Sequence, residues 1–126
     1  MMRTIQTNAA PQAIGPYSQA VEAGDFLYVS GQIAINPETN EIAAGIVAQT
    51  EQVMKNLEAI LKEVNLTFSD VVKFTIYTTS MDDFPIINET YAKFLTEPYP
   101  ARATVEVSRL PKDVLVEIDA IAYKGN

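Results

Sequence analysis

Arg102 and Glu117 are the side chains in this sequence whose types and settings best suit work on a small charged molecule. Arg102 follows Pro100 and Ala101, so its backbone direction is preset where a strand begins. Its planar guanidinium can meet a carboxylate through two parallel hydrogen bonds. Glu117 interrupts the apolar run 114–122, a mid-strand place where glutamate is disfavoured, and a partly buried carboxylate there could act as acid or base. A structural ion pair for Arg102 and a solvated place on an open sheet face for Glu117 are the alternatives. Tyr17, after Gly15-Pro16, reads as a turn residue packing its ring or as a site residue. Ser30-Gly31 ends a strand where backbone amides can approach a ligand closely, and Asn88 reads by default as polar helix surface.

Composition narrows the chemistry these groups can do. The 126 residues contain no histidine and no cysteine. That excludes a histidine-dependent serine triad, a thiolate nucleophile, a disulfide framework and a Cys-ligated zinc. Asp82-Asp83 reads as a helix cap rather than a pair of metal ligands. A formal charge of −7 and a pI near 4.4 leave no basic footprint for nucleic acid and disfavour anionic membrane surfaces. No leader-like or membrane-spanning apolar run is apparent, so the cytoplasm is the expected address. Nearly half the residues are apolar, and a chain of this size can bury roughly two thirds of its unfolded surface, which predicts one domain over residues 1–126.

The elements that must position these residues follow from periodicity. A short strand is expected near 4–6. Stretches 18–22 and 26–32 flank Gly24-Asp25 as a hairpin would. Apolar residues recur at helical spacing over 46–64, with Glu51/Lys55 and Glu58/Lys62 on the wet side. Residues 71–78 alternate as a strand does. A second helix is expected over 83–95, with Asp82 or Asp83 as N-cap and Pro85 in its first turn. Two strands finish the chain, joined by a turn at 110–113. If they form a simple hairpin, Glu106 faces Glu117 and Arg102 faces Ile121, about 13 Å along the strand from Glu117. The fold class is α+β, a mixed sheet with both helices on one face. Ala103 and Val105 are expected under the helices, and Arg102, Thr104 and Glu106 on the other face with Glu117. That mixed face predicts a homo-oligomer with polar pockets at its seams.

Taken in order, Ile14-Gly15-Pro16-Tyr17-Ser18-Gln19, Val29-Ser30-Gly31-Gln32, Asn88-Glu89-Thr90-Tyr91, Pro100-Ala101-Arg102, Leu110-Pro111 and Val116-Glu117-Ile118 resemble the marks of the Rid (YjgF) family of reactive intermediate deaminases. The resemblance runs over nearly the whole chain. It implies a chorismate-mutase-like sandwich assembled as a homotrimer, with the sheets facing a central barrel and clefts between subunits. It also implies hydrolysis of enamines and imines such as 2-aminoacrylate and 2-aminocrotonate to 2-keto acids and ammonia, without metal or organic cofactor. By matching motif, Arg102 would hold the substrate carboxylate and Glu117 would position or activate the attacking water. Tyr17, Ser30, Gly31, Asn88 and Thr104 would line the cleft, some from the adjacent subunit. Thr104 stands where several members have cysteine, which removes any thiol role, and the connection 95–100 is a few residues shorter than in many members. Two further readings are a non-catalytic module that binds 2-keto or amino acids, and a ribonuclease or translation inhibitor, against which the acidic charge and missing histidine argue.

Overall fold

The computed structural model describes residues 2–125. Six strands, β1 (Met2–Ile5), β2 (Ala20–Ala23), β3 (Phe26–Gln32), β4 (Val71–Thr78), β5 (Ala101–Glu106) and β6 (Val116–Tyr123), form one sheet in the order β1-β2-β3-β6-β4-β5. Helices α1 (Ile46–Glu63) and α2 (Phe84–Ala92) complete the fold. No helix among the described residues is long and apolar enough to cross a membrane.

The α+β class, the mixed sheet and the Gly24 hairpin agree with the periodicity. Gly24 has φ 60, the left-handed value that a tight turn asks of glycine. Boundaries differ: β1 begins at Met2, β2 starts only at Ala20, and α2 stops at Ala92. Asp83 occupies the N-cap of α2 but makes no side-chain capping bond, because a 3₁₀ turn over Met81–Asp83 leads the chain in. Pro85 sits in the first helical turn, where its missing N–H costs nothing.

The core lies between the helices and one sheet face. Val53, Met54, Leu57, Ile60 and Leu61 of α1 and Ile87 of α2 are buried against Leu27, Phe74, Ile76, Val116 and Ile118 of the sheet. Truncating one of these, such as Leu57→Ala, costs about 2–5 kcal/mol. Two polar residues on the buried face of α1 fix the strand ends that matter later. Gln49 Oε1 accepts the Leu115 N–H at 2.8 Å, and Asn56 Nδ2 donates to the carbonyls of Ile33 and Ile35 at 3.1 and 3.0 Å.

Two expectations are overturned. The last two strands are not a hairpin: β4 lies between them, parallel to β5 and antiparallel to β6. The chain from β4 through α2 to β5 is a strand–helix–strand crossover, which returns the second strand parallel to the first. The facing of β5 is also reversed. Arg102, Thr104 and Glu106 stand level with Phe74, Ile76 and Thr78, the β4 residues on the helix side. Glu106 accepts the Met81 N–H at 2.7 Å there. Ala103 and Val105 occupy the open face instead. β5 is an edge strand only half covered by α2, so polar side chains are tolerated on its helix side, and its apolar residues mark a face that this single chain leaves bare.

Candidate functional site

The residues singled out from the sequence fall into two groups on opposite sides of the sheet. Glu117, Tyr17, Ser30 and Gly31 line a cleft of about 530 Å³. Arg102 and Asn88 line a pocket of about 410 Å³, together with Tyr91, Leu95 and Tyr99. Arg102 is level with Phe74 and Glu117 with Tyr77, with β4 between their strands. Their Cα atoms are therefore roughly 14 Å apart, from two strand spacings and three residue rises. One chain does not bring the two groups together.

In the cleft, Glu117 projects from β6 onto the open face and lies over the backbone of Gly31. A methyl group added at Gly31 would overlap the Glu117 carboxylate, with Cδ at 2.9 Å and Cγ at 3.2 Å. Gly31 thus makes room for the carboxylate, and it does so where the β3–β6 register shifts between Val29 and Gln32. Burial raises the Glu117 pKa above the usual carboxylate value, and the charge of Asp119, two residues along the strand, raises it further. A carboxylate with raised proton affinity can take a proton from water and return it.

The wall that carries Tyr17 is held by a buried amide. Gln19, 2% exposed, accepts the Thr7 N–H at 2.7 Å and donates Nε2 to the carbonyls of Thr7 and Pro11 at 3.1 and 2.7 Å. Ser30 Oγ donates to the Ser18 carbonyl at 2.6 Å, and Ser30 N–H donates to the Gln19 carbonyl at 2.9 Å. Tyr17 remains half exposed, its N–H bonded to the Gly15 carbonyl at 2.9 Å. Ser30 therefore anchors the loop with its hydroxyl proton and keeps oxygen lone pairs for a ligand. Lys112, in left-handed backbone at φ 56, adds a cation to the rim.

In the pocket, Arg102 Nη1 donates to Asn88 Oδ1 of α2. The guanidinium carbon lies 5.3 Å from the Phe84 ring centre and 5.5 Å from that of Tyr91. The Tyr91 ring stands edge-on to buried Phe74, 5.4 Å between centres, so its place is fixed by the core. Burial raises the Tyr91 pKa, partly offset by the Arg102 charge. Nε and Nη2 of Arg102 make no hydrogen bond among the described residues, which leaves a fork open to an anion. Thr104 lies two residues along β5 on the same side, and its buried hydroxyl is unpartnered among the described residues.

Gln19, Tyr91 and Phe84 act here as supports, a role the sequence did not assign to them. Tyr91 had a signal, since Asn88 and Tyr91 are three apart and share a helix face. The partnership of Tyr77 with Asp119, whose Oη–Oδ2 distance is 3.0 Å, had none, because it spans 42 residues and depends on strand order.

A mixed sheet backed by two helices, with a glutamate-lined cleft on one face and an arginine-lined pocket on the other, defines an α+β protein with two candidate recesses. The sequence profile described as Endoribonuclease L-PSP matches residues 7–124, and the chain belongs to that family, the Rid or YjgF family. A RutC family protein of Pyrococcus horikoshii is 54% identical over 125 residues, covering 98% of this chain and 99% of that protein. The 2-iminobutanoate/2-iminopropanoate deaminase of Escherichia coli is 46% identical over 127 residues, covering 98% and 99%. The solved structure of Escherichia coli TdcF with bound serine matches with a TM-score of 0.94 at 43% identity, covering 98% of this chain and 99% of that one.

Proposed function

We propose that this protein hydrolyses 2-imino acids and their enamine tautomers, 2-aminoacrylate and 2-aminocrotonate, to 2-keto acids and ammonia. The observation that carries the reading is Glu117, its carboxyl raised in pKa and seated over Gly31 in a cleft. The 46% identity to an iminobutanoate deaminase supports it. Arg102 binds the substrate carboxylate through its free fork, which sets the imine carbon for attack. Glu117 accepts a proton from water as the oxygen bonds to that carbon. It then passes the proton to the nitrogen of the tetrahedral carbinolamine; the C–N bond breaks, ammonia leaves, and the hydroxyl proton is lost as the ketone forms. Orientation and proton transfer suffice, because an iminium carbon beside a carboxylate is already electrophilic.

Both halves are used only if two copies meet. The open face presents Phe26, Tyr28 and Val105 to solvent at 37%, 47% and 43% exposure, a bare apolar face that supports assembly of the sheets around a common axis. In a homotrimer of the chorismate-mutase-like kind, the Arg102 pocket of one subunit would meet the Glu117 cleft of the next. Asn88 and Thr104 would then come with Arg102, and Tyr17, Ser30 and Gly31 with Glu117. Coupling the protein to a pyridoxal-phosphate dehydratase acting on serine or threonine and following keto-acid release tests the reaction. Wild type should accelerate release, and Arg102→Ala should lower the effect about 100-fold, the worth of a two-bond carboxylate contact. No acceleration by wild type contradicts the proposal.

A second reading rests on the relative with bound serine. A module that holds amino or keto acids without turnover would use the same Arg102 fork, and calorimetric keto-acid binding by a protein silent in the coupled assay would favour it.

A further inference from the structure

On the open face, Tyr77 of β4 stands directly opposite Glu117 of β6 in the antiparallel register, and Asp119 follows two residues along β6 on the same side. Opposed residues of such a pair have Cβ atoms about 4.5–5.5 Å apart, and Cα atoms two residues apart on one strand are separated by about 7 Å. The Tyr77 hydroxyl bonds Asp119 Oδ2 at 3.0 Å. A phenol rooted across from one carboxylate and bonded to the next bridges both positions. We propose that Tyr77 and Asp119 form a positioning pair for Glu117: the phenol holds the Asp119 carboxylate in place, and that fixed anion governs the proton exchange of Glu117. The inference rests on the reading of Glu117 as the group that trades protons with water and substrate.

Other ionisable groups face Glu117 from the elements around it. On β4, Lys73 shares the open face four residues from Tyr77, level with Ile121. On β3, Tyr28 is also level with Ile121. Tyr17 and Lys112 line the cleft from the loop and from the turn before β6. Asp119 is the charge among them that acts on Glu117, in the same direction as burial. Tyr77 reports the arrangement from its own side: its hydroxyl is driven up in pKa first by burial, then by its bond to Asp119, then by the charges of Asp119 and Glu117. A hydroxyl raised in pKa holds its proton more firmly and serves as the donor that orients the Asp119 carboxylate. The pair thus adds a repulsive charge that makes Glu117 a stronger base once ionised.

Carbon-13 NMR titration of the Glu117 side-chain carboxyl in the native assembly reads the effect without turnover. Asp119→Asn should move the midpoint to lower pH, and Asp119→Glu, which keeps the charge, should leave it close to wild type. Tyr77→Phe should move it in the same direction as Asp119→Asn but by less. In an Asp119→Asn background Tyr77→Phe should add nothing, because the phenol acts through Asp119. Keto-acid release measured in parallel should show the acidic limb of its pH profile following the midpoint, several-fold faster in Asp119→Asn below the wild-type limb. A midpoint unmoved by Asp119→Asn, or a Tyr77→Phe shift that persists without Asp119, overturns the pair. A midpoint that moves as described in a protein without turnover leaves the pair standing and removes the deaminase reading instead.

Discussion

The Glu117 cleft and the Arg102 pocket are built on different principles. Glu117 sits mid-sheet on β6, its neighbourhood held by buried groups: Gln19 ties the Tyr17 loop, Asn56 ties the chain after β3, and Gln49 ties the start of β6. Arg102 sits on the edge strand, braced by one amide from Asn88 and by aromatic rings. A carboxylate must be partly desolvated to change its proton affinity, so it needs an enclosing, rigid wall. A guanidinium is charged at any working pH and needs only direction and reach. In the proposed mechanism the acid–base half is therefore embedded and the clamp is peripheral, on a flank where a second subunit would meet it.

Glu117→Gln probes the embedded half most severely. Activity should fall about 100-fold or more, the usual share of a general acid–base group. Stability should move the other way. The folded state holds this carboxyl above its ordinary value, so the native protein binds more protons than the unfolded chain, and stability falls as pH rises from the ordinary value of 4.5 through the folded one. The variant escapes that loss. Thermal melts should show Tm above wild type at neutral pH, with the gap closing below pH 4.5; an equal gap at both would contradict the burial of Glu117.

Gly31→Ala separates position from chemistry. Gly31 has ordinary negative φ, so the added methyl strains only the Glu117 side chain, whose flexible end shifts at small cost. About tenfold loss of activity with little change in Tm is expected, and no further loss when the change is made in Glu117→Gln. A large fall in Tm would show that Gly31 serves the backbone and not the carboxylate.

The smallest effect belongs to the peripheral half. The Thr104 hydroxyl is buried without a partner among the described residues, so Thr104→Val, which keeps shape and removes the oxygen, should stabilise by about 1 kcal/mol in denaturant titrations. If activity falls as stability rises, the orphan hydroxyl is held ready for substrate; if neither changes, it is solvated in the assembly.

Local periodicity made α1, β4 and the Gly24 hairpin legible, because each is decided by neighbours within a few residues. Strand order was not, since nothing in 101–123 records that β4 inserts between β5 and β6. The pattern of strand, helix and strand over 71–106 was the available signal for a parallel crossover. Missing it placed Arg102 opposite Ile121 on the face of Glu117. The apolar Ala103 and Val105 reinforced the error, because an apolar residue looks the same in sequence whether it faces its own core or a second copy. Motif order pointed to residues of both recesses, Thr104 excepted, but it carried no information on which of them share a wall.

In the proposed mechanism Arg102 and Glu117 act together only across two subunits. Arg102→Ala and Glu117→Gln, each expected to lose about 100-fold in activity alone, can be mixed, dissociated and reassembled at equal concentrations while keto-acid release is followed. In a ring, each seam takes Arg102 from one neighbour and Glu117 from the other, so random mixing should restore about one quarter of wild-type activity. No recovery from a mixture shown to have exchanged subunits would contradict the shared site.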